Sequence, residues 1–299
     1  MLGSASLAEW FALGAASLWA LSSLISVTPS RHLGAFAYSR WRMACVTLML
    51  SVMALLNGGW GTVQWESAGM MLLSGLIGIF IGDTALFACF NRIGPRRGGL
   101  LFACHAVFSA QLGIWLFGET LAGWKLIGGL AVFLGVACAI FFGQQQTHLW
   151  EKIHGNLWIA IVLGLTAALC QSLGAVIAKP VMQSGIDPIA ASAVRMASAF
   201  AAHSLLRLTG ARLFRPLNPI TWPIFGMVAL NGFLAMAVGM TLILYALRHG
   251  DVGTVALLSS TTPIMVLPLL WLHTGNRPNQ SAWFGAALAV IGTALIVTH

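Results

Sequence analysis

The sequence predicts an all-α integral membrane protein, with ten transmembrane helices arranged as two inverted five-helix repeats around a central cavity. Three observations lead there. The chain is 59% hydrophobic and only 7% charged, against roughly 25% charged in an ordinary soluble domain. So few charges cannot clothe a water-soluble fold. A bilayer core about 30 Å thick asks instead for about 20 apolar residues per spanning helix. The second observation is an internal repeat. Leu72 to Ile140 returns as Ala229 to Val297, so that Gly75 matches Gly232, Gly82 matches Gly239, Thr84 matches Thr241, Gly128 matches Gly285 and Gly135 matches Gly292. Earlier in each half, Arg42-Met43-Ala44 matches Arg195-Met196-Ala197. The third is parity. The apolar runs divide five and five, and an odd number of spans per copy turns the second copy over in the membrane.

Each helix has a physical boundary. The first is expected near Trp10–Val27 and stops at Pro29; it begins near Glu9 without a basic leader, so it reads as a retained helix rather than a cleaved signal. The second, near Ala35–Leu56, stops at Gly58-Gly59, and the third, near Ser67–Asn91, at Gly94-Pro95. The fourth and fifth lie near Gly98–Phe117 and Leu121–Phe142. Then comes the only polar stretch of any length, Gly143–Gly155, containing Gln144-Gln145-Gln146. It marks the division into a first repeat (1–143), a linker (144–155) and a second repeat (156–299). The sixth helix, near Leu157–Lys179, ends at Pro180. The seventh, near Pro188–Leu208, ends at Gly210 with Pro216 beyond. The last three are expected near Trp222–Leu247, Val252–Leu272 and Ala282–Val297, with Asn276 and Pro278 between the final two.

Charge sets the orientation. One set of loops holds Arg31, Arg92, Arg96, Arg97, Lys152, Arg207, Arg212, Arg215 and Arg277, the other Lys125, Lys179 and Arg248. The positive-inside rule puts the first set in the cytoplasm and both termini outside. The net charge of +8 therefore sits at helix ends and is not a nucleic-acid footprint. Trp10, Trp60, Trp65, Trp124, Trp150, Trp158, Trp222 and Trp283 fall near helix ends, as interfacial anchors do. The five cysteines all lie in apolar runs with no CxxC pair, which reads as small core residues rather than a metal or redox site. No cofactor is implied, and no nucleotide-binding loop is present.

Several segments carry a family pattern. The second half reads Leu244-Tyr245-Ala246-Leu247-Arg248-His249, then Ala256-Leu257-Leu258, Pro263, and Phe284-Gly285-Ala286-Ala287 with Gly292. The first half ends in Phe117-Gly118-Glu119-Thr120-Leu121, then Ile127-Gly128-Gly129 and Gly135. The chain resembles the EamA-type module of the drug/metabolite transporter superfamily and, within it, the YddG-like amino-acid exporters. The resemblance implies a basket of helices one to four and six to nine, with five and ten outside it. It also implies a secondary transporter of the bacterial inner membrane, exporting small organic metabolites, aromatic or other hydrophobic amino acids foremost, by alternating access. Two departures stand out: Ala106 where the second half has Pro263, and Asn276 where the first has Glu119. The missing proline suggests that helices four and nine bend unequally.

Competing functions stay open. A nucleotide-sugar or sugar-phosphate exchanger would use Lys179 and Arg195 as paired cations. An integral-membrane enzyme would need a GxSxG, HExxH or close carboxylate pair in a span, and the sequence has none. A non-transporting assembly or sensor protein is the third alternative. The expected partners are the lipid bilayer and a small-molecule substrate, with the chain a monomer or weak homodimer.

The candidate substrate residues are the polar groups inside spans. A lone charge at the bilayer centre costs at least about 3 kcal/mol. Asp83, in Gly82-Asp83-Thr84, is either the partner of a substrate ammonium, a proton carrier, or the counter-ion of an arginine such as Arg42. Arg42 and Arg195 occupy matching places and could present a cation to a carboxylate; otherwise they snorkel or pair structurally. Tyr38 lies one turn from Arg42. Lys179 is interfacial or lines a cavity mouth. Trp19 lines the cavity or packs, its indole N–H needing a partner either way. His105, Gln111, Gln171, His203, Asn231 and Tyr245 are lesser candidates, equally readable as helix–helix hydrogen bonds. Gly98-Gly99 and the ladder breakers Pro263 and Pro268 are candidate hinges or plain kinks. Gly128, Gly135, Gly285 and Gly292 read as close-packing surfaces or a dimer contact.

Overall fold

The computed structural model describes residues 4–120, 123–142, 155–274 and 280–298. Ten apolar helices follow one another. They are α1 (Ser4–Leu33), α2 (Ala35–Leu56), α3 (Trp65–Gly94), α4 (Arg97–Phe117), α5 (Trp124–Phe142), α6 (Leu157–Gln183), α7 (Pro188–Leu208), α8 (Trp222–His249), α9 (Val252–Ser259 and Thr262–Thr274) and α10 (Gln280–Thr298). All but α5, α9 and α10 are long and apolar enough to cross a bilayer by length and composition. Their outward faces are apolar too, as at Leu48, Leu116, Leu130, Val162, Leu205 and Val290, so lipid rather than water suits them.

Local chemistry sets the ends. The Asn156 side chain accepts from the Trp158 N–H at 2.9 Å to start α6. The Asp187 carboxylate accepts from the Ala190 N–H at 2.8 Å to start α7, with Pro188 in the first turn. Between α3 and α4 the chain turns at Gly94, whose φ of 83° strains any residue with a Cβ. The following Pro95 then favours a new helix start.

Matching helices run antiparallel. Between α5 and α10, Gly128 meets Gly292 while Gly135 meets Gly285, so close that a methyl on either first-half glycine would lie within 2.7 Å of the opposing carbonyl. These glycines pack within the chain, as small residues do where lipid gives no hydrophobic drive. Phe36 at the start of α2 stacks on His203 late in α7, and Gly59 past the end of α2 meets Asp187 before α7. Glu119 beyond α4 reaches Val252 at the start of α9. The repeats are thus inverted, and they interlock: α1 packs on α8 and α9, and α6 on α3 and α4. The predicted linker, 144–155, lies outside the described residues except for Gly155.

The helix irregularities are duplicated as well. A π-helical stretch occupies Leu76–Ile81 in α3 and Gly232–Met240 in α8. Helix α4 tightens at Cys104, whose N–H reaches the Leu101 carbonyl; α9 breaks at the matching Thr261, whose N–H reaches Leu258. Helices four and nine are interrupted at the same place although only one carries the proline, because a 3₁₀-type bond three residues back forms in both. The interruption in α4 falls at Cys104. Gly98 instead sits under the Phe90 ring.

The two ends differ in charge. Leu217 N–H donates to the Leu33 carbonyl and Phe36 stacks on Phe214, which puts the α1–α2 and α7–α8 junctions together. Arg31, Arg40, Arg207, Arg212 and Arg215 gather there. At the opposite end lie Glu9, Glu66, Glu119, Asp187 and Asp251, with Lys125, Lys179 and Arg248.

Candidate functional site

The interior polar groups form two clusters. The first sits midway along α2, α3, α7 and α8. Arg42 and Asp83 form a buried ion pair. Asn231 of α8 accepts from Arg42 Nη1 at 3.3 Å and donates to the Ser22 carbonyl at 2.7 Å, tying the pair to α1. The Arg42 guanidinium lies 4.5 Å from the Phe87 ring centroid and 5.3 Å from that of Tyr38. Tyr38 is fully buried, and its hydroxyl has no hydrogen-bond partner. Arg42 is therefore not a snorkelling cation: it is 2% exposed, and its charge is met inside the protein.

Arg195 reaches the same region from α7 and is treated differently. It is 2% exposed. Among the described residues its side chain makes no ion pair or hydrogen bond; its Nε is an orphan, as is that of Arg42. Asp83 lies within its electrostatic reach but is held by Arg42. Two bare backbones flank the guanidinium. A methyl added to Gly78 of α3 would stand 3.3 Å from Arg195 Nη2, and one added to Gly174 of α6 would stand 3.4 Å from it.

Beside this centre, Thr84 contacts His203 Nε2 at 2.9 Å, and His203 Nδ1 donates to the Ala199 carbonyl at 2.7 Å. The histidine ring is boxed between Phe36 and Phe80.

The second cluster is at the acidic end. Glu119 pairs with Lys179. Its carboxylate also accepts from the backbone N–H of Val252 at 2.8 Å and of Gly253 at 3.1 Å, capping α9 from the other repeat. The negative charge suits the helix N-terminus. Lys179 also lies 4.9 Å from the Phe117 ring. Lys179 is thus a buried, paired cation at the acidic end of the bundle.

The remaining candidates are scattered. The Trp19 indole donates to the Ala235 carbonyl at 2.8 Å, inside the π-helical stretch of α8. The wide turn there and Gly239, with no Cβ against the indole, make room for it. Tyr245 stacks on Phe11 at 5.6 Å and His105 on Phe102 at 5.0 Å. Gln171 is buried in α6 beside the Ser109–Ser172 hydrogen bond. A small cleft with room for about one water molecule lies between α1 and α3, lined by Ser26, Ser30, Phe87, Phe90 and Asn91 among others. Pro263 and Pro268 both lie in the second segment of α9, just past its break. The structure therefore brings Tyr38, Arg42, Asp83 and Arg195 together, and leaves Trp19, His105, Lys179 and Tyr245 apart from them. Glu119 escaped sequence reasoning because it stands beyond the end of an apolar run, where a carboxylate looks solvated.

A family model described as the EamA-like transporter family matches residues 6–141 and again 158–298. The chain is 22% identical over 249 residues to a protein of Synechocystis sp. described as the uncharacterized transporter sll0355, covering 78% of this chain and 72% of the relative. It also resembles a protein of known crystal structure, with a TM-score of 0.75, 17% identity, and 96% of this chain and 95% of that one covered.

Proposed function

The chain belongs to the EamA-like transporter family, a family of multi-pass membrane transporters rather than enzymes, and from that premise we propose that it exports small organic metabolites, amino acids with aromatic or other hydrophobic side chains foremost, by rocking its two inverted repeats about the central arginines. The observation that carries this reading is the buried Arg42–Asp83–Arg195 centre at the interface of the two copies. Intramembrane charge marks solute paths, and inverted repeats meet at the midplane site in many carriers. The resemblance of its motifs to the YddG-like exporters supports the same reading. The basic end, with Arg207, Arg212 and Arg215, supports a cytoplasmic placement under the positive-inside rule, which leaves both termini outside a bacterial inner membrane. The linker assignment at 144–155 belongs to the same reading.

Its test is uptake of an amino-acid panel into proteoliposomes, with and without a pH gradient. Saturable flux supports the reading, and no flux of any amino acid removes the cargo. Full transport by a well-folded Asp83→Asn would remove a direct role for that carboxylate. The phosphate-exchanger alternative is disfavoured by the pairing of Lys179 with Glu119 at the far end. That pairing leaves Arg195 without the second cation a phosphate would want.

A further inference from the structure

We propose that the transported solute carries a carboxylate and that this carboxylate is the counter-ion Arg195 lacks. The inference rests on the carrier reading above and adds the site and the charge of the cargo.

The argument runs through the repeat. Arg42 and Arg195 hold matching positions, and each packs beneath a matching glycine. A methyl on Gly232 would stand 3.2 Å from Arg42 Cγ, and one on Gly75 would stand 2.3 Å from the Arg195 carbonyl oxygen. The groups that satisfy Arg42 can then be looked up in the other copy. Asp83 is answered by Met240, Asn231 by Ser74, Phe87 by Leu244 and Tyr38 by Ala191. None of these carries a charge or a ring. Ser74, the one polar survivor, donates its hydroxyl to the Gly174 carbonyl at 2.7 Å. Each partner of the first arginine has been replaced at the second, yet the second arginine is still there and still buried.

An isolated guanidinium in a membrane interior is costly and persists where something supplies its charge and hydrogen bonds. Two arginines and one aspartate leave a single positive charge at the centre, which one carboxylate group would balance. The planar guanidinium fork matches a carboxylate with two parallel hydrogen bonds. The bare backbones of Gly78 and Gly174 are the walls beside that fork, so entry requires α3 and α6 to part there.

The full-length protein tests this with four probes: L-phenylalanine, L-leucine, L-phenylalaninamide and inorganic phosphate. Flux is read in proteoliposomes and the melting temperature in detergent. Wild type should move and be stabilised by the two acids and neither of the others. Arg195→Met should raise the half-saturating concentration of the acids about 10- to 100-fold, the scale of a lost charge-assisted bond, without lowering the melting temperature. Met240→Asp should do the same by supplying an internal carboxylate, with the melting temperature held or raised. If that variant does not fold, Arg195→Met decides alone. The proposal is overturned if the amide is handled as well as the acid, if phosphate stabilises and the acids do not, or if Arg195→Met moves the acids with unchanged half-saturation. In the first and third cases the acids are still moved and the amino-acid reading survives; the second favours the phosphate exchanger. Wild type moving neither acid removes the amino-acid cargo, while the melting arm still decides the site.

Discussion

Arg42 and Arg195 are the same residue in two copies of one unit, and their surroundings have gone opposite ways. Around Arg42 stand a carboxylate, an amide and two aromatic faces. Around the Arg195 guanidinium stand the bare backbones of Gly78 and Gly174, with no hydrogen bond or ion pair of its own among the described residues and only the electrostatic reach of an Asp83 that Arg42 already holds. The backbone did not diverge with them. The π-helical stretches, the breaks in α4 and α9 and the glycine contacts all recur. Duplication therefore preserved the frame, where close packing tolerates little change, and let the charges part. One arginine became structural and the other was left available.

The contrast can be broken most sharply at its paired member. Arg42→Met strands the Asp83 carboxylate and should cost about 3–5 kcal/mol of stability, read by unfolding in mild detergent, whereas Arg195→Met should cost nothing or stabilise. Equal losses would erase the distinction. The double variant Arg42→Met/Asp83→Leu should recover most of the loss. Next comes the other ion pair. Glu119→Gln weakens both the Lys179 contact and the cap on α9, worth about 2–3 kcal/mol, and amide exchange at Val252 and Gly253 should quicken. If exchange there is unchanged, the cap is idle. Smaller again is Gly135→Ala, which pushes α5 off α10 and should cost about 1–3 kcal/mol. Gly99→Ala, with nothing within 4 Å, is its silent control. The smallest is Trp19→Phe, which orphans the Ala235 carbonyl for about 1 kcal/mol and leaves flux near wild type. A large loss of flux with intact stability would instead make Trp19 part of the solute path.

The fold was readable because its causes are local and repeated. Apolar length marks the spans, prolines and glycines mark the junctions, and the recurrence of Gly75, Gly82 and Gly128 marks the copies. The break in α4 was not readable, because no proline announces it: the Cys104 N–H reaches back three residues without one. In the site, the sequence singled out Arg42, Asp83 and Arg195 by the cost of charge in lipid. It left Asp83 between an arginine and a substrate, since helical spacing within α3 says nothing about which neighbour its face meets. Glu119 was hidden for the same reason: its partners come from α6 and the start of α9, far along the chain.

The cap that Glu119 places on α9 has a consequence for biosynthesis. The carboxylate is made long before the helix it serves, and α1 and α3 must likewise wait for α8 and α6. A half-finished chain in the membrane is thus an assembly of unmet surfaces, dependent on whatever shelters it until its second half arrives. For the same reason, the severed halves supplied as two polypeptides have every contact needed to find each other.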